Sequence, residues 1–158
     1  MKSTDDCNAG CGCGCGGAQF RIEGMPLMRL FCHCTLCQAF NQAPYADITV
    51  FRGRDVTMPA PGTVRYQTLR PPPAVQRGTC SQCGKPAVEF MHLAPLPKFV
   101  FVPTANLRNP TQVPAPSLHM FYNRRVADID DDLPKVSGYL KSQVTSVRML
   151  IGALIRRR

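Results

Sequence analysis

The chain reads as a mainly β protein closed by one carboxy-terminal helix, and three observations say so. Seven short segments rich in β-branched and aromatic residues alternate with Gly and Pro breakers. Fifteen prolines, including Pro71-Pro72-Pro73, disfavour long helices over the first 120 residues. Only from Ser137 onward do apolar residues recur at helical spacing. At 158 residues and 44% hydrophobic content, the chain suits one domain with one core.

The expected strands, in order, are Ala18–Glu23, Met28–Cys32, Ala46–Phe51, Thr63–Leu69, Ala87–His92, Phe99–Val102 and His119–Tyr122. Gly24, Pro26, Gly53, Pro59 to Gly62, Pro95, Pro97 and Pro103 mark the turns between them. The pattern describes hairpins in small antiparallel sheets, each too small to be stable without a staple. In the expected helix, Leu140, Val144, Val147, Ile151 and Leu154 recur at alternating intervals of four and three and mark one face. That face is expected to pack on the β core, with a homodimer seam as the alternative. Arg156, Arg157 and Arg158 suit the negative end of the helix dipole. The apolar run Met149–Ile155 is short and broken by Gly152, so neither a membrane span nor a membrane partner is expected.

The staple is found in the cysteines. Seven of the nine fall in three clusters: Cys13-x-Cys15, Cys32-x-Cys34-x-x-Cys37 and Cys80-x-x-Cys83. Cys-x-Cys is poor disulfide geometry, nine is an odd number, and no apolar leader follows Met1-Lys2. A cytoplasmic protein with reduced thiols is expected, and thiols so spaced suit metal. Four thiolates close a tetrahedral zinc, whereas three leave a position open.

The pairing follows from the turns. Cys13-x-Cys15-Gly16 and Cys80-x-x-Cys83-Gly84 each end on a glycine, which permits the positive φ that such a turn needs. Together they are expected to form a structural Cys₄ site. Cys32, Cys34 and Cys37 then remain as an open trio. Zinc on three thiolates carries a net negative charge, is a weak Lewis acid and suits a soft incoming thiol. Thiolate activation, rather than hydrolysis, is the chemistry expected there. His33, inside the trio, is expected to support or pack rather than to ligate. Cys7 and Cys11 are spare, Cys11 being the alternative to Cys15.

The net charge is +9, and residues 21–125 hold twelve Lys or Arg against four acids. Bound thiolates offset part of this excess, and the rest suits a solvated surface, an anionic small molecule or nucleic acid. A nucleic-acid reading leaves the trio idle and finds no basic helix beside the turns. No nucleic-acid partner is expected.

Cys13-Gly14-Cys15-Gly16, Cys32-His33-Cys34-Thr35-Leu36-Cys37 and Cys80-Ser81-Gln82-Cys83-Gly84 resemble the signature of the glutathione-dependent formaldehyde-activating enzyme (GFA-like) family. His119-Met120-Phe121 and Asp131-Asp132-Leu133-Pro134 are similar to its closing segment, so the likeness runs from residue 13 to about 136. The resemblance implies a β-tent fold stapled by zinc and two Zn²⁺ per chain. One would be structural, on Cys13, Cys15, Cys80 and Cys83, and one catalytic, on Cys32, Cys34 and Cys37. It implies carbon–sulfur lyase activity that joins a thiol such as glutathione to an aldehyde such as formaldehyde, giving S-hydroxymethylglutathione. The alternative is a non-catalytic zinc protein, structural or a glutathione carrier. The expected organisation is a flexible segment 1–10, a GFA-like domain 11–136 and the helix 137–158. Three positions depart from the family pattern: Gln38 replaces a basic residue, Ala39–Ala43 lacks a glycine, and Gly78-Thr79 replaces an aromatic. Arg52, Arg54, Arg65 and Arg77 are the candidates, by region, for holding glutathione carboxylates.

Overall fold

The computed structural model describes residues 11–70, 75–108 and 113–157. It contains ten strands: β1 Cys11–Gly12, β2 Gln19–Ile22, β3 Met28–Cys32, β4 Ala46–Arg52, β5 Val56–Thr57, β6 Val64–Gln67, β7 Val75–Cys80, β8 Pro86–Met91, β9 Phe99–Pro103 and β10 His119–Met120. Two helices accompany them, α1 Thr35–Asn41 and α2 Tyr139–Arg156. The expected mainly β fold with a carboxy-terminal helix is what forms. Its strands divide unevenly, into a three-stranded sheet β1-β2-β5 and a seven-stranded sheet β10-β3-β4-β9-β8-β7-β6. All pairings in the large sheet are antiparallel except β10 on β3.

Alternation along the central strands sorts the core onto the two faces of the large sheet. Leu30, Ile48, Val50 and Phe99 pack on one face, together with Leu150 and Ala153 of α2. Phe51, Val88, Val100 and Val102 pack on the other, with Phe20 and Ile22 of the small sheet. The sheet is thus covered by the helix on one side and by the small sheet on the other.

All seven expected strands are present, with ends shifted by up to two residues. The expected Thr63–Leu69 shortens to β6, and His119–Tyr122 to β10, because Phe121 turns the chain at a φ of 53° into the 3₁₀ turn Tyr122–Arg124. Strands β1, β5 and β7 and helix α1 carry no sequence pattern that announces them. β7 reads Val-Gln-Arg-Gly-Thr-Cys, yet it is hydrogen-bonded on both sides, by β6 and β8. Its Gly78 allows close approach: a Cβ there would lie 2.3 Å from the Val88 carbonyl oxygen. Gly78→Ala must therefore push two strands apart, and a loss of about 1–3 kcal/mol is expected in urea unfolding.

The largest correction concerns α2. The helix forms where its periodicity placed it, but with a different face inward. Ser142, Ser146, Leu150 and Ala153 are buried, whereas Leu140 is 73% exposed and Val144 and Ile151 are 48% and 40% exposed. Small side chains let the helix approach the sheet closely, and the Ser142 hydroxyl accepts a hydrogen bond from the Phe121 amide at 3.0 Å. Arg52 closes the end of the helix by donating to the carbonyls of Leu154 and Arg157. Among the described residues, no helix is long and apolar enough to cross a membrane.

Candidate functional site

The turn before β2 brings Cys13 and Cys15 beside Cys80 and Cys83, on the turn between β7 and β8. Gly16 and Gly84 take positive φ, 76° and 71°, as the two turns require. The four sulfurs lie within 4.8 Å of one another, Cys13 to Cys15 at 3.2 Å and Cys15 to Cys80 at 3.6 Å. Ligands on a tetrahedral zinc with Zn–S of about 2.3 Å sit about 3.8 Å apart, so the donor set and its spacing fit that ion. The amides of Ala18 and Gly17 donate to the sulfurs of Cys13 and Cys15 at 3.4 and 3.3 Å. Cys7 and the Cys11 side chain lie outside the described residues.

The trio is assembled where β3 runs into α1. Cys32 ends the strand, Cys34 caps the helix, its sulfur accepting from the Cys37 amide at 3.3 Å, and Cys37 follows one turn on. Their sulfurs also lie within 4.8 Å of one another. Hydrogen bonds from Cys32 and Cys37 hold the Cys34 thiol far below its ordinary value, while the same crowding raises Cys32. A cluster that so readily takes one negative charge suits a cation. Among the described residues, no fourth His, Cys, Asp or Glu ligand accompanies the trio.

One cation already faces it. Arg77 on β7 places Nη1 and Nη2 each 3.7 Å from Cys37 Sγ and Nη1 2.9 Å from Glu89 Oε2, its cross-strand partner on β8. Burial pushes the Glu89 carboxyl up to about 7, against the pull of Arg77.

Behind the trio stands a chain of buried rings. Asp131 lies 2.8 Å from His119 Nε2, and His119 Nδ1 lies 2.8 Å from His33 Nε2. The Lys135 ammonium and then His119 hold Asp131 down to about 2, so the carboxylate accepts. His119 therefore donates to Asp131 through Nε2, and its Nδ1 shares a hydrogen bond with His33 Nε2. Burial, then the neighbouring His119, lowers His33 to about 4 and keeps it neutral. Tyr45 and Tyr122 pack against the His33 ring, with centroids 5.1 and 5.3 Å away. Gln38 adds a second tie, its Nε2 donating to the carbonyls of His33 at 2.7 Å and Arg124 at 2.8 Å.

The trio opens on a cavity of about 490 Å³, while the four-cysteine cluster does not contribute to it. Of the four arginines expected to serve a ligand, only Arg77 lines this space. Arg52 caps α2, Arg54 pairs weakly with its neighbour Asp55, and Arg65 is exposed on β6. Arg70 and Arg124 line the cavity instead. No local motif marks them, since the segment after β6, α2 and the Tyr122–Arg124 turn meet only in the folded chain.

Fold and site together define a β protein with two cysteine clusters, each fit to hold a metal ion, one closed and one opening on a cavity. The chain belongs to the family of the glutathione-dependent formaldehyde-activating enzyme, whose profile matches residues 8–124. Among solved structures it is similar to a Rhodobacter sphaeroides protein determined by structural genomics. That likeness has a TM-score of 0.52 and 17% identity, over 68% of this chain and 96% of the other, and shows the fold alone. No curated protein sequence matches the chain.

Proposed function

We propose that the protein is a zinc-dependent enzyme of the carbon–sulfur lyase class that joins a thiol, glutathione, to an aldehyde, formaldehyde. The observation that carries this reading is the division of labour between the clusters. Four sulfurs gather at a pair of turns away from the cavity, and three line it. Cys13, Cys15, Cys80 and Cys83 would hold a structural zinc. Cys32, Cys34 and Cys37 would hold a second, which supplies an open position favouring an ionised sulfur.

The chain's own groups do the rest. Arg77 places its positive charge against Cys37 and offsets the negative charge that three thiolates leave. Arg70 and Arg124 provide cations for the carboxylates of glutathione. The histidine chain and Gln38 fix the loop that carries Cys32 and Cys34. In the addition, the thiol sulfur bonds to the carbonyl carbon and the carbonyl π pair moves onto oxygen. That oxygen takes up the proton the thiol gave up, so no oxidant or reductant enters. Holding the two reactants together supplies most of the acceleration an already easy addition needs.

Native mass spectrometry with added glutathione tests the reading. The expected result is two zinc ions per chain and a saturable glutathione adduct that Cys34→Ser abolishes. Two zinc ions with no adduct would remove glutathione as the thiol. A glutathione carrier would need the same site, so turnover with formaldehyde, followed by consumption of free thiol, separates enzyme from carrier.

A further inference from the structure

The wall of the cavity opposite the sheet is not made by the family segment. It is made by α2, which lies beyond residue 124 and contributes Tyr139, Gln143, Ser146, Val147 and Leu150. Facing it across the space are Leu30, Ile48, Met91 and Phe101 from β3, β4, β8 and β9. A one-carbon aldehyde would touch almost none of this apolar surface. The charged groups are not spread evenly either. Arg77 and Glu89 are paired with each other, whereas neither Arg70 nor Arg124 has an ion-pair partner among the described residues. Arg70 is instead set over the ring of Tyr139, 4.3 Å from its centre, on the first turn of α2.

We propose that this cavity binds a thiol adduct with an anionic end and an apolar chain of several carbons, and that α2 is the wall that selects the chain. The inference rests on the thiol chemistry assigned above and deepens it. The anionic end pairs with Arg70 and Arg124, the sulfur lies toward Cys32, Cys34 and Cys37, and the carbon chain runs between α2 and the sheet. An aldehyde with an alkyl tail would add to the thiol by the same balanced step as formaldehyde. Its tail would then leave water for the aliphatic surface, which favours each added methylene.

S-alkylglutathiones mimic the addition product without needing turnover. Isothermal titration of the zinc-loaded protein with S-methylglutathione and S-hexylglutathione reads the cavity directly. The expected result is at least tenfold tighter binding of the hexyl compound. Equal affinities, or no binding of either, would overturn the proposal. Val147→Asp places a charge on the α2 wall and Val147→Trp fills the space behind it. Both should abolish the hexyl preference, with circular dichroism melts used to choose folded variants. A preference that survives both would show that α2 does not make the wall. Failure of this proposal is distinguishable from failure of the function above. Glutathione capture without a hexyl preference leaves the function standing, and a hexyl preference without capture leaves the cavity and removes the thiol reading.

Discussion

Cys83→Ser is expected to leave the protein unfolded or aggregated, and a chelator should do the same to the native chain. The four-cysteine cluster joins the turn before β2 to the turn after β7, segments that meet around very little else. The apolar cluster there consists of Cys13, Ala18, Val64, Cys80 and Ala87, so two of its five members are themselves candidate ligands. Binding a structural zinc contributes about 10–16 kcal/mol in small domains, comparable to the whole stability of roughly 5–15 kcal/mol expected of such a chain. Losing one thiolate removes much of the first from the second. Cys83 is also exposed, so its replacement by Ser adds no packing defect that could produce the same result. Thermal melts followed by circular dichroism check this. A soluble variant with a cooperative transition near the native temperature would refute a structural role for the cluster.

Arg77→Met should cost about 3–5 kcal/mol, the second largest effect. Glu89 is 3% exposed, and Arg77 is its ion-pair partner at 2.9 Å. Removing one member of a buried pair leaves the other charge in a poor solvent without compensation. Methionine matches the length of the arginine stem, so little of the loss comes from a cavity. Arg77→Met/Glu89→Gln should recover most of the stability, because the uncompensated charge is then gone. The pH dependence has a definite sign. The folded Glu89 carboxyl is already raised above its usual value, to about 7, and loss of Arg77 can only raise it further. A carboxyl raised by folding favours the folded state below its unfolded value, near 4.5, and that contribution is lost as pH rises through the folded value. The single variant should therefore be closest to the native protein near pH 5 and weakest near pH 8. Urea unfolding at the two values checks it, and a pH-independent difference would show that Glu89 is not the group left exposed to the cost.

The two arguments differ in how far the sequence carries them. The cysteine clusters were legible because their chemistry is local: Cys13 and Cys15 share one turn, as do Cys80 and Cys83, and the glycine after each pair announces its φ. The strands from Met28, Ala46 and Phe99 were legible because central strands bury both faces and show it as runs of β-branched and aromatic residues. β7 was not, since Gln76, Arg77 and Gly78 make sense only opposite Phe90, Glu89 and Val88. Arg77 drew notice as one of four regional candidates, but its buried partner and its contact with Cys37 come from that cross-strand register.

α2 marks the same boundary within one element. Periodicity determined that residues 139–156 form a helix, because helical spacing is a property of neighbours along the chain. Which side turns inward was decided by what the sheet offers. Ser142, Ser146 and Ala153 fit the buried side, Ser142 against the backbone of Phe121 and Val136, and the larger Leu140, Val144 and Ile151 are left outside. By itself the sequence determined the cysteine clusters and the β class, both set by residue type and local spacing. Only the tertiary structure decided the cavity, the placing of Arg70 and Arg124 on its lining, and the histidine chain behind the trio. Those depend on side chains far apart in sequence being brought within a few ångströms by packing.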